Sequence, residues 1–168
     1  MIRPTLILVL SAVLLLACCS TTSDDDARRT LDAQRERTDA VMRKVAPVFV
    51  EATNGRLSDA QGEFTTCRTA PGIAATYRGT ATIPDVTMTV DDVDQALTDA
   101  GWKHVDVDNR SPLFDAWDIK RGEDVVSVSY RLDHPAVSFG ISNDCVDLGD
   151  EDLQDEFTRQ EPTPYVES

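Results

Sequence analysis

Residues 125–142 read VVSVSYRLDHPAVSFGIS, and this stretch decides the fold. Val126, Val128, Tyr130 and Leu132 alternate with Ser127, Ser129 and Arg131. Beyond the turn at His134-Pro135, Val137, Phe139 and Ile141 alternate with Ser138, Gly140 and Ser142. A period of two places every second side chain on one face of a strand. Two such runs joined by a short turn predict antiparallel neighbours with one face packed and one face wet.

The pattern extends upstream. Arg121-Gly122-Glu123-Asp124 reads as a tight hairpin turn, preceded by a strand over Phe114–Lys120 that carries Trp117 and Ile119 on one side. Lys103–Asp108 alternates through Val105 and Val107, and Ile73–Ile83 through Ala75, Tyr77, Gly79, Ala81 and Ile83. Between these strands Thr89 and Asp92 form a variant capping box. The short helix that follows shows Val90, Val93, Leu97 and Ala100 on one face and stops at Gly101. A longer helix is predicted from Ala27, with Leu31, Thr38, Val41, Met42, Val45 and Phe49 as its packed stripe and an Asp39–Arg43 pair on its wet side. Its first half is nearly all polar and reads as a stalk or surface helix, and Pro47 should end or kink it. Gly55–Pro71 reads as a loop. The expected class is therefore α+β: a long N-terminal helix, a strand, a short helix and an antiparallel β-meander, braced by one disulfide.

The N-terminus carries an export address. Arg3 is followed by Leu6–Leu16, an uncharged core within the roughly 7–15 residues of a signal peptide and short of the ~20 needed to span a bilayer. It ends in Leu15-Leu16-Ala17-Cys18, which resembles the lipobox of bacterial lipoproteins: an aliphatic residue at −3 and a small one at −1 before a cysteine. That resemblance implies cleavage before Cys18 and attachment of acyl chains such as palmitate there. Two or three chains anchor stably, whereas one binds only marginally. The expected organisation is a signal peptide over 1–17, a tether over 18–26, one α+β domain over 27–148 and an acidic, disordered tail over 149–168. The expected location is the extracytoplasmic face of the cell membrane, with the lipid on Cys18 as the contact to the bilayer.

Export also places the remaining cysteines where disulfides persist. Cys67 and Cys145 would close a loop of about 79 residues, worth ~4.5 kcal/mol on the loop-entropy model. Cys19 is left over. Removing the signal leaves 15 basic against 30 acidic residues, a mature charge near −15. Such a surface repels nucleic-acid phosphate and anionic lipid, which excludes both as partners of a basic patch. Together, Ala100-Gly101-Trp102, the alternation from Val125 to Ile141 and the Cys67/Cys145 pair resemble small, largely uncharacterised cell-envelope lipoproteins of actinobacteria. The resemblance implies an envelope location and carries over no functional residues.

Chemistry-bearing motifs fail their tests. An EF-hand loop starting at Asp106 would put Arg110 at position 5, Ser111 where glycine is required and Trp117 where glutamate is required. The acidic run Asp147–Glu156 reads as solvated, with loose calcium binding as its alternative. His104 and His134 are the two histidines; they stand far apart, and no Cys-x-x-Cys accompanies them, so neither zinc nor nucleophilic catalysis is indicated. Neither a Gly-x-Ser-x-Gly nor a phosphate-binding glycine loop occurs, and no cofactor is expected. Trp102 and Trp117 read as core, with a ligand groove at the sheet edge as the alternative. The resulting expectation is a non-enzymatic binding or scaffold module for an envelope or extracellular protein. Its alternative is an acidic inhibitor or immunity-type protein that neutralises a basic hydrolase or toxin.

Overall fold

The computed structural model describes residues 23–67 and 73–165, with 106–110 described by their backbone alone. The expected signal peptide, Cys18 and Cys19 lie outside the described residues. Helix α1 spans Asp24–Thr53, followed by strands β1 (Ser58–Cys67) and β2 (Ile73–Ile83), helix α2 (Val90–Asp99), and strands β3 (Lys103–Arg110), β4 (Phe114–Arg121), β5 (Asp124–Arg131) and β6 (Ala136–Ser142). The chain closes with β7 (Val146–Leu148), α3 (Glu151–Thr158) and β8 (Thr163–Pro164). The eight strands form one sheet in the order β3-β4-β5-β6-β2-β1-β8, with β7 continuing along the β2 edge beyond β6. All pairs are antiparallel. The expected α+β class is correct.

The register across β4, β5, β6 and β2 follows from the alternation. Trp117, Val128, Phe139 and Ala81 share one row, and Val126 faces Ile119. These side chains are buried, together with Ile83, Val137 and Tyr130, under α1 and α2. Phe49 of α1 stacks on Phe139 with ring centroids 3.9 Å apart. Pro47 neither ends the helix nor prevents this contact. It sits on the exposed side, where the carbonyl deprived of its donor can be hydrated. The helix runs on to Asn54, which caps it in the left-handed conformation at φ 49°.

The first half of α1 is not a stalk. Ala27 and Leu31 are fully buried in a second cluster with Phe64, Tyr77, Val146, Leu148, Leu153 and Phe157. The helix also starts earlier than expected: Ser23 caps it, and Asp24, Asp25 and Asp26 form its first turn rather than a tether. The segment read as a loop from Gly55 is largely β1, and the tail expected to be disordered supplies α3 and β8, with β7 just before it. Asp150 caps α3, accepting from the Leu153 amide at 2.8 Å, and its apolar pair Leu153 and Phe157 turns inward. The disulfide between Cys67 and Cys145 is formed, with Cα atoms 6.1 Å apart. It ties the end of β1 to the chain entering β7.

Candidate functional site

Three features of the described chain could meet another molecule: a buried polar seam under α1, the open face of the sheet, and a groove beside α1 at the β8 end. The seam starts from a break in the sheet. On the β2 edge, β6 pairs as far as Arg78 and β7 begins at Ala75, so among the described residues no strand lies beside the backbone of Tyr77 there. Side chains supply the missing bonds. The Tyr77 amide donates to Gln34 Oε1 at 3.1 Å, and Asn143 Nδ2 donates to the Tyr77 carbonyl at 2.6 Å and to Thr38 Oγ1 at 2.9 Å. Gln34 Nε2 in turn reaches the Asp144 carbonyl at 2.8 Å. These are structural bonds, and they explain why Thr38 belongs to the packed stripe of α1.

Asp39 is the main revision to the sequence reading. It does not sit on the wet side of α1 but is 9% exposed, and its Oδ1 accepts from the hydroxyls of Tyr77 and Tyr165, each at 2.8 Å. Burial raises the pKa of both phenols above the ordinary tyrosine value, and the Asp39 carboxylate adds to the effect. A Cβ at Gly62 would overlap both hydroxyls, and one at Gly79 would lie 2.7 Å from that of Tyr165. The two glycines therefore leave the space that the phenols fill. Tyr165 reaches this site because its amide donates to the Ala60 carbonyl at 2.9 Å, while Gln61 and Gly62 pair with Pro164 and Thr163. The i,i+4 spacing to Arg43 pointed to the wrong partner. The period of the stripe did place the neighbouring Thr38 inside.

The second feature is the face of the sheet turned away from the helices. Its rows run Ala116–Ser129–Ser138–Thr82 and Asp118–Ser127–Gly140–Thr80. None of these residues is buried, and Thr82 and Ser138 meet across the strands at 3.0 Å. Short side chains leave a shallow depression of about 410 Å³ over the middle of the sheet. Beside it Arg78 donates to Glu63 at 3.0 Å. The third feature, a groove of about 330 Å³, is lined by Ala46, Pro47, Val50, Leu57 and Tyr165 among others.

The residues singled out from sequence are spread over the fold. Trp102 and Trp117 are core, 3% and 5% exposed. His104 Nδ1 lies 2.8 Å from Asp94, and its ring is parallel to Trp117 at 6.3 Å, whereas His134 is exposed in the β5–β6 turn. The side chains of Asp106 and Asp108 lie outside the described residues. The acids from Asp147 to Glu156 are distributed along β7 and α3, and among the described residues no group of three or more His, Cys, Asp or Glu could hold a metal ion. No protein-family model, no curated protein and no solved structure matches the chain.

Proposed function

We propose that this protein is a lipid-anchored, extracytoplasmic binding module without catalytic activity, which presents its open sheet face to another envelope or extracellular protein. The observation that carries the reading is the asymmetry of the sheet. The apolar rows of β4, β5, β6 and β2 lie under helices, while the opposite face offers Thr80, Thr82, Ser127, Ser129, Ser138 and Gly140, which no layer covers among the described residues. Such a surface is flat, hydrogen-bonding and low in side-chain entropy, so ordering it against a partner costs little. The buried carboxylate of the domain, Asp39, is engaged by two phenols.

The spacing between Cys18 and the domain is compatible with such an anchor. Five positions separate Cys18 from Ser23, the cap of α1. Fully extended, that chain spans about 18 Å, so acylation at Cys18 would hold the domain against the bilayer. Among the described residues no helix is long and apolar enough to cross a membrane.

Two measurements on intact cells test the proposal. Cys18→Ser should move the protein from the detergent phase to the aqueous phase, while Cys19→Ser should not. A photo-crosslinking residue at Ser129 should yield one discrete adduct that Ser127→Arg abolishes. Retention of the Cys18→Ser protein in the detergent phase would reject the anchor, and absence of any Ser129 adduct would reject the docking face. The acidic-inhibitor reading rests on a different feature. Asp24, Asp25 and Asp26 begin α1 beside Gly149, and Glu151 and Asp152 begin α3, gathering negative charge at one end. It predicts adducts from that end and an affinity that falls steeply with salt.

A further inference from the structure

In a chain of formal charge −14, arginines readily find carboxylates: Arg28, Arg29, Arg35, Arg78, Arg131 and Arg159 are all in ion pairs. Around the end of β4 this pattern breaks. Among the described residues, Lys44 of α1 and Arg121 of β4 have no carboxylate at ion-pair distance. Both line one cavity of about 450 Å³, whose other walls are Val41, Trp102, Gly122 and Asp124. The cavity lies on the helix side of the sheet, because Arg121 shares the face of β4 that carries the buried Trp117 and Ile119.

The walls of this cavity are held in place. Gly122 turns the β4–β5 hairpin at φ 65°, and Arg37 ties the hairpin to α1 by donating to the Glu123 carbonyl at 3.2 Å. Arg37 also stands 3.8 Å from Asp124, so the acid of the lining already faces a cation. Lys44 and Arg121 are then the charges that an occupant meets. Val41 and Trp102 belong to the core, 4% and 3% exposed, and give the cavity a fixed apolar wall. The Nε1 of Trp102 is buried and finds no acceptor among the described residues, an uncommon state for a buried donor. We infer that this cavity binds a small organic anion, with its apolar body against Val41 and Trp102 and its carboxylate, sulfonate or phosphate group between Lys44 and Arg121. Its volume falls in the range of small-molecule sites, roughly 300–1,000 Å³, and an apolar wall with a few converging polar groups is their chemistry. An inorganic anion leaves the wall unused, and a neutral molecule leaves both cations unmatched. The site is on the opposite side of the sheet from the open face and does not depend on a partner docking there.

The probe is 2-naphthalenesulfonate, titrated into the isotope-labelled protein and followed by nuclear magnetic resonance. The indole N–H of Trp102 and the amide of Gly122 should shift saturably, while the indole of Trp117 stays in place. The neutral 2-naphthalenesulfonamide and inorganic sulfate should each bind at least about tenfold more weakly. Lys44→Gln and Arg121→Gln should each weaken the sulfonate about tenfold, the range of a hydrogen bond to a charged group. Lys103→Gln is the control: Lys103 pairs with Lys120 on the other face of the sheet, and its loss should change affinity by no more than about twofold. Lys44, Lys103 and Arg121 are all exposed, so none of these substitutions disturbs the core. No saturable shift at Trp102 with millimolar sulfonate overturns the proposal. Equal binding of the sulfonamide or of sulfate overturns it as well, and so does a Lys103→Gln loss as large as that of Arg121→Gln.

Discussion

Tyr165 donates its hydroxyl to Asp39 at 2.8 Å across 126 positions of sequence, joining the last strand of the chain to the middle of its first helix. Tyr77 shares the same carboxylate oxygen, so the bond pins helix, central strand and tail at one buried point. Removing the acceptor leaves two buried hydroxyls without their partner, whereas removing one donor leaves the carboxylate the other. Asp39→Ala should therefore lower the unfolding free energy by about 3 kcal/mol and Tyr165→Phe by about half as much. Urea denaturation of the two variants and their double mutant measures both costs and the coupling between them. Equal stability of Asp39→Ala and the parent would refute the structural role given to the seam.

The disulfide holds the other end of the same strand system. Cys67 on β1 and Cys145 before β7 bracket the segment in which β2 changes neighbours. The Cys67→Ala/Cys145→Ala chain should lose about 4.5 kcal/mol on the loop-entropy model. Thermal melts with and without reductant should reproduce that loss in the parent and leave the double variant unmoved. A parent melt indifferent to reductant would contradict it.

What could be read from sequence follows from where one physical signal dominates. In β5 and β6 the packed and wet faces differ residue by residue, so Val126, Val128, Val137 and Phe139 announce themselves. In β1 the buried positions are Ala60, Gly62 and Phe64, two of them small, and Gly62 is inward because two phenols occupy the space beside it. No pattern of apolar residues could show that. In α3 the acids of the first turn masked a signal that was present: Asp150 as cap and Leu153 with Phe157 at i,i+4. Asp39 was hidden for the converse reason. Local spacing offered it Arg43, and the partners that bury it lie 38 and 126 positions away.

Neighbouring positions in one row of the open face should tolerate change very unequally. Gly140 lies there with Thr80 and Ser127 beside it, yet a Cβ built on it would be 2.5 Å from the carbonyl oxygen of Gly79. A backbone atom within a paired strand cannot yield cheaply. Gly140→Ala should cost about 2 kcal/mol, in the range of overpacking, while Ser127→Ala on the exposed neighbour should stay within about 0.5 kcal/mol. Chemical denaturation of both variants checks the contrast, and a neutral Gly140→Ala would show that β6 can shift away from β2.

The phenols set an alkaline limit. Tyr77 and Tyr165 have folded-state pKa values raised above 10.0, through burial and then the Asp39 carboxylate, whereas in the unfolded chain each ionises near its ordinary value. Below about pH 10 both states hold the phenol protons, and the stability contributed by these groups is fully present. Above that pH the unfolded chain releases protons that the folded chain retains, so unfolding becomes easier as pH rises towards the folded-state values. Urea midpoints measured across the alkaline range should fall beyond about pH 10, with the tyrosinate absorbance of these two residues appearing together with unfolding rather than before it. Tyr165→Phe removes one of the retained protons and should flatten the decline while starting from a lower stability at neutral pH. A decline of unchanged steepness in that variant would place the alkaline limit elsewhere in the molecule.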